Sequence, residues 1–297
     1  MATEVPHFVS TEWLNQHLND ADLRLIEATT FLKIPAEGGY YDTWSGQEVY
    51  DQDHIPGAVY ADLKHDFSDP TADYNFAVIP HDDFVQKASA LGIDDDSYVV
   101  VYDRGPQVDV DFTASDWASR FAWQLKFEGF DNVAILDGSY QKWVREDRPT
   151  TAEAGAYPAG HLTIDRRPEL YADKEDVLAA IEDDNTIILD SLSKESYEGK
   201  ADTYARPGHI PGAANVFFGE LSEPDSGELY DDDKLKSIFK ETGALDKDKK
   251  VITYCGSAIA ATWTQTLLNK LGQENVSVYD GSLSEWAEDD SLPLETN

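Results

Sequence analysis

The chain repeats itself. The pentapeptide HIPGA stands at 54–58 and again at 209–213, and LDGSYQKWV at 136–144 is echoed by YDGSLSEWA at 279–287, which sets Asp137 against Asp280 and Trp143 against Trp286. Between and before these, VVVYD at 99–103 corresponds to VITYC at 251–255, and LRLIEA at 23–28 to TIILDS at 186–191. Self-similarity in a fixed order settles architecture before any single residue does. The 297 residues are two copies of one unit, each of ordinary domain size. The expected division is an N-terminal domain over 1–147, a linker over 148–166, where Pro, Gly, Ala and Thr gather without periodicity, and a C-terminal domain over 167–297.

Within each half, short apolar runs alternate with segments of helical spacing. The runs are RLIEA, VYADL, YVVVYD and VAILD, then TIILD, AANVF, VITY and VSVYD; WASRFAWQLKFEGF and IAATWTQTLLNKLG are the clearest helical segments. In the second of these, Ile259, Trp263, Leu267 and Leu271 recur every fourth residue, and Gly272 ends the helix. Nearly all-apolar strands alternating with helices imply an α/β fold in which each half is a small parallel sheet with helices on both faces.

In such sheets ligands bind beyond the carboxyl ends of the strands, where loops lead into helices. The single cysteine, Cys255, falls at one of these places: VITY is the strand, CGSA the turn, and the helix follows. Free cysteine is among the most buried residue types, and packing alone is the ordinary explanation for it. Three features point the other way. Gly256 leaves the sulfur poorly covered; backbone N–H groups of the loop and the helix start make an anion nest; and the first half carries Asp103 at the equivalent place, so the scaffold does not need cysteine. A thiolate held there is expected to have a pKa well below the usual value of about 8.5.

The chain resembles the tandem-domain rhodaneses, the family of thiosulfate and 3-mercaptopyruvate sulfurtransferases. HIPGA in both halves, the loop CGSAIAAT, the signature VYDGSLSEW and an inactive first half with Asp103 in place of cysteine carry the resemblance over almost the whole chain. It implies sulfur transfer through a persulfide on Cys255. A small anionic donor loads the sulfur, and a thiophilic acceptor such as cyanide or a thiol removes it, with no metal, nucleotide or flavin cofactor. The substrate-binding residues expected from the loop are Gly256, Ser257, Ala258, Ile259 and Ala260, whose backbone N–H groups hold the anion together with that of Ala261. A cysteine phosphatase would need Arg six places after the cysteine to clamp a phosphate, and Ala261 stands there. A carrier that delivers sulfur to a protein partner without turnover is the alternative in a different class.

The loop CGS resembles that of mercaptopyruvate enzymes and supplies no positive charge for a sulfonate. The serine relay of those enzymes is incomplete here: SDPTADYNF at 68–76 retains Asp69, but Phe76 stands where a histidine would be, with His65 and His81 as nearby substitutes. Ser196 precedes Tyr197 where the family places an arginine. Among Lys194, Lys200 and Arg206, Arg206 is the expected donor-anion ligand, since Arg-Pro-Gly before the HIPG turn fixes its backbone. The HIPGA histidines, His54 and His209, and the DGS turns with Trp143 and Trp286 read as structural. Asp190, at a strand end, is a candidate for orienting the loop.

The net charge is −35, from 58 acidic against 23 basic residues. Such a surface repels nucleic acid and anionic membrane. The acidic runs at 94–96, 182–184 and 231–233 lie between apolar runs and read as solvated surface rather than metal sites. Self-repulsion of this size is screened within a few Å in molar salt, so a halophilic-type protein that loses structure in dilute buffer is expected. One cysteine excludes an intrachain disulfide, and the N-terminus lacks a basic segment followed by an apolar one. A cytoplasmic, monomeric protein with no membrane or nucleic-acid partner is the expectation.

Overall fold

The computed structural model describes residues 5–36, 38–105 and 108–296. Each half builds a five-stranded sheet in which every pairing is parallel. The first half supplies β1 (Phe8–Val9), β2 (Leu23–Glu27), an antiparallel hairpin of β3 (Thr30–Lys33) and β4 (Asp42–Ser45) outside the sheet, then β5 (Val59–Tyr60), β6 (Tyr98–Tyr102) and β7 (Val133–Leu136). The second half supplies β8 (Tyr171–Ala172), β9 (Thr186–Asp190), β10 (Ala214–Asn215), β11 (Lys250–Tyr254) and β12 (Val276–Tyr279). The strand orders are β1-β7-β6-β2-β5 and β8-β12-β11-β9-β10, which is one topology used twice.

The strands are apolar throughout because both faces are covered. Alternation sends Ile26, Val99, Val101, Val133 and Ile135 into one core, and Leu25, Val100, Tyr102, Ala134 and Leu136 into another on the opposite face. The second sheet divides in the same way. Leu189, Val251, Val276 and Val278 pack with the helices Asp232–Phe239 and Ile259–Lys270; Ile188, Ile252, Tyr254 and Tyr279 pack with Lys174–Ala180 and Ser282–Trp286. The α/β reading, with helices on both faces of each sheet, describes the molecule.

Three elements escape the sequence patterns. β1 and β8 are two residues each, too short to show a period, and the β3–β4 hairpin lies in a stretch without alternation. The hairpin matters most, since it reaches across to the other half.

The halves meet along two equivalent helices, Asp116–Glu128 and Ile259–Lys270. Nearly every residue of both is buried, because each lies between its own sheet and the other helix. At the centre sits Arg120, 1% exposed, whose guanidinium lies 2.7 Å from the Asp280 carboxylate and donates to the Phe76 carbonyl at 2.6 Å. Asp280 in turn accepts from the Val78 N–H at 3.0 Å and the Tyr74 hydroxyl at 3.2 Å, fastening the 68–79 loop of the first half to the second. Trp143 and Trp286 are fully buried and donate to the carbonyls of Pro149 and Pro293, each at 2.8 Å, in keeping with a structural role.

Candidate active site

Cys255 stands immediately after β11 and before the helix Ile259–Lys270, and its side chain is 2% exposed. The N–H groups of Ala261, Ser257 and Gly256 are turned toward the sulfur and favour its charged form. The loop reaches this shape through Ala258, not through the glycine: Ala258 has φ of 59°, a left-handed conformation that costs a residue with a Cβ roughly 1–2 kcal/mol. Ser282 holds it there, accepting from the N–H groups of Cys255 and Ala258 at 3.2 Å each and donating to the Tyr279 carbonyl at 2.8 Å. The DGS turn is thus the clamp on the loop, a role the sequence reading did not assign it. Its recurrence in both halves is the signal that could have found it.

The first half shows what this nest is built to hold. Asp103 occupies the place of Cys255, and its carboxylate accepts from the N–H groups of Gly105 at 3.1 Å and Ala118 at 2.9 Å. Ala118 and Ala261 are each the third residue of their helix, and Gly105 and Ser257 each stand two places after the residue in the nest. One half therefore cradles a carboxylate where the other presents a sulfur.

The electrostatics correct the expectation of a depressed thiol pKa. Burial pushes Cys255 above its ordinary range and outweighs the pull of the three N–H groups; the nearby Asp190 carboxylate pushes the same way. Asp190 itself is held up at about 7 by burial, with one oxygen accepting from Leu192 N–H at 2.7 Å.

Ser257 does have a partner, though neither histidine supplies it. His65 bonds to Asp62, and His81 to Glu128 and the Ile164 carbonyl. The Ser257 hydroxyl instead meets that of Tyr41, at the turn end of the β3–β4 hairpin just before β4, and Tyr41 continues to Tyr40 at 3.2 Å and from there to Asn75 at 2.9 Å. Burial raises the Tyr41 phenol well above its usual range, so it is a neutral hydroxyl. Tyr204 closes over the loop so tightly that a methyl group at Gly256 would overlap its hydroxyl. That approach, rather than backbone conformation, is what requires glycine after the cysteine.

Arg206 is placed elsewhere. Its guanidinium donates to the carbonyls of Ala287, Leu292, Trp286 and Asp289 at 2.5–2.9 Å, tying down the C-terminal segment. A guanidinium spent on four carbonyls is not a donor-anion ligand, so that expectation is corrected. Lys194 and Lys200 both pair with Glu198.

Cys255, Gly256, Ser257, Ile259 and Ala260 line a cavity of about 310 Å³; Ala258 does not, its carbonyl lying 3.5 Å from Arg120 instead. Tyr41, Phe76, Phe112, Tyr204, Phe217 and Phe218 supply its walls, drawn from both halves. Phe76 is held at φ of 60°, edge-on to Trp117 with ring centres 5.0 Å apart. Among the described residues, no group of three or more His, Cys, Asp or Glu side chains is arranged to hold a metal ion.

A cysteine sulfur in an N–H nest at the end of a parallel strand, in the second of two equivalent domains, points to the class. The rhodanese-like domain model matches residues 10–146 and 173–289, and the chain belongs to the rhodanese family. It is 33% identical to the 3-mercaptopyruvate sulfurtransferase of Escherichia coli K12, the alignment covering 97% of each chain, and 31% identical to the sulfur carrier protein TtuD of Thermus thermophilus, over 96% and 95%. The crystal structure of the Escherichia coli 3-mercaptopyruvate sulfotransferase SseA superposes with a TM-score of 0.78 at 30% identity, covering 95% of this chain and all of that one.

Proposed function

We propose that the chain is a sulfurtransferase that moves a sulfane sulfur from 3-mercaptopyruvate or thiosulfate to a thiophilic acceptor through a persulfide on Cys255. The observation that carries this is the sulfur itself, pointed at by three backbone N–H groups at the floor of the cavity. In the loading step Cys255 gives up its proton as the donor enters, and the resulting thiolate attacks the donor sulfur. With mercaptopyruvate the carbon–sulfur bond breaks, its electron pair leaves with the pyruvate enolate, and the enolate takes a proton. The Ser257–Tyr41 hydroxyl pair, in the lining of the same cavity, is the proton source we assign to it. The negative charge of the persulfide is received by the N–H groups of Gly256, Ser257 and Ala261, the last two being counterparts of the Gly105 and Ala118 groups that hold the Asp103 carboxylate in the first half.

The division of labour follows. The domain over 1–147 carries no sulfur chemistry and contributes Tyr41 and Phe76 to the wall; the linker spans 148–166; the domain over 167–297 carries Cys255 with Gly256, Ser257, Ile259 and Ala260, while Ala258 sets the loop shape. Mercaptopyruvate is the preferred donor. It carries one negative charge where thiosulfate carries two, and the described lining offers no cation to either. We place the protein in the cytoplasm of a salt-rich cell as a monomer, on its charge of −35 and its single free cysteine. No helix among the described residues is long and apolar enough to cross a membrane.

Steady-state turnover in molar salt, with each donor and with cyanide as acceptor, tests the reading. Turnover is expected with both donors, higher in kcat/KM for mercaptopyruvate, and absent in Cys255→Ser. A sulfur-carrier role, supported by the likeness to TtuD, would instead show loading without turnover on free cyanide.

A further inference from the structure

Apart from the loop N–H groups, the cavity is built for something other than a small anion. At about 310 Å³ it lies at the lower end of pockets that enclose an organic ligand, roughly 300–1,000 Å³. Its walls are six aromatic rings together with Leu32, Ile34, Val110, Leu192 and Ile259. The charged side chains of the described lining are two carboxylates, Asp116 and Glu195. Glu195 is exposed at the start of the helix Lys194–Tyr197 and has no side-chain hydrogen bond or ion pair. The three lysines beside lining residues are paired, Lys33 with Asp109 and both Lys194 and Lys200 with Glu198, and do not line the cavity, although the charge of Lys200 also reaches Glu195. Where a histidine would complete a serine relay, Phe76 adds one more ring.

Aromatic faces carry negative quadrupoles and attract cations, by about 0.5–1 kcal/mol when exposed and about 2 or more when desolvated. Carboxylates in the same wall add to that attraction and repel anions. We propose that the sulfur acceptor is an organic thiol with an apolar or aromatic body and a positive charge at its far end, the body lying among Phe112, Phe217, Phe218 and Tyr204 and the charge toward Glu195. The proposal rests on the Cys255 persulfide and names the acceptor class for that site. In the transfer step the acceptor thiolate attacks the outer sulfur of the persulfide, a new sulfur–sulfur bond forms to the acceptor, and the old one breaks with its electron pair left on Cys255. The acceptor leaves as an organic persulfide and the cysteine is again a thiolate, so no external oxidant or reductant is needed.

The test uses one thiol scaffold with three charges: benzyl mercaptan and its para-aminomethyl and para-carboxy derivatives. The full-length protein is loaded with inorganic polysulfide in molar salt. Discharge of Cys255 is then followed by intact mass as loss of one sulfur atom, each rate being divided by that of the same thiol with a free alkyl persulfide. The aminomethyl thiol is expected to discharge the protein at least about tenfold faster than the carboxylate, equivalent to about 1.4 kcal/mol, with the parent thiol between. Molar salt screens the bulk surface field within about 3 Å, so a ratio that persists there belongs to the cavity. Glu195→Gln is expected to reduce the ratio, and Ile34→Lys, at a position 51% exposed on the rim, to invert it. Equal rates for the three thiols, or a faster carboxylate, overturn the acceptor class while leaving the persulfide intact. Failure of Cys255 to gain sulfur from polysulfide removes the persulfide mechanism and the proposal with it.

Discussion

Cys255 and Asp103 are the same position in two copies of one domain, and the comparison separates what the nest does from what the sulfur does. Both groups are fully buried and both are pushed toward their neutral forms, Asp103 to about 7 and Cys255 upward from 9.0. Alkylation of Cys255 by iodoacetamide is therefore expected to keep accelerating as pH rises past 9, whereas a plateau near neutrality would contradict the burial argument. Asp190 adds a second handle. Its folded value of about 7 lies above its ordinary 3.8, so the stability linked to it is fully present below 3.8 and lost as pH rises through 7. Asp190→Asn is expected to raise the thermal midpoint more at pH 8 than at pH 5. Because it removes a negative charge beside the sulfur, it is also expected to speed alkylation at pH 8 by up to about tenfold, one pKa unit. A midpoint shift independent of pH would show that burial of that carboxylate costs nothing.

The elements that complete the site come from both halves, and the contact that aligns them is Arg120 with Asp280. Removing one member of such a buried pair strands the other charge, at a cost of about 3–5 kcal/mol. Arg120→Ala is expected to lose that much in denaturant unfolding and to weaken turnover by releasing the Phe76 loop; an unchanged midpoint and activity would refute its role as the link. A finer test is Gly256→Ala. Overlap with the Tyr204 hydroxyl is expected to cost about 1–3 kcal/mol, and Tyr204→Phe is expected to restore much of it in the double variant, measured by thermal unfolding. The sequence made eight of the twelve described strands, the two long helices and the cysteine loop legible, because these carry strong periodicity or stand in the repeat. It hid Tyr41 and Tyr204, which reach Ser257 and Gly256 of the cysteine loop from loops far away in the chain, and it suggested Arg206, which in space is spent on the C-terminal carbonyls. Nothing local distinguishes an arginine that binds backbone from one that awaits a ligand.

At the scale of the whole molecule, two sheets of the same topology pack through equivalent helices, and duplication leaves one nest around a cysteine and one around an aspartate. The surface carries −35. Self-repulsion of that size opposes compactness unless screened, and ion screening shortens from about 10 Å at 0.1 M to about 3 Å at 1 M. Circular dichroism is accordingly expected to show a melting midpoint that rises steadily from dilute to molar salt, and a midpoint indifferent to salt would count against a halophilic protein.

The most direct measurement of the central claim is the intact mass of the wild type and of Cys255→Ser after exposure to 3-mercaptopyruvate in molar salt, then to cyanide. The wild type is expected to gain one sulfur atom and lose it to cyanide, while the variant stays unchanged. Turnover by a wild type that never carries the extra sulfur, or a sulfur gained by the variant, would contradict the mechanism.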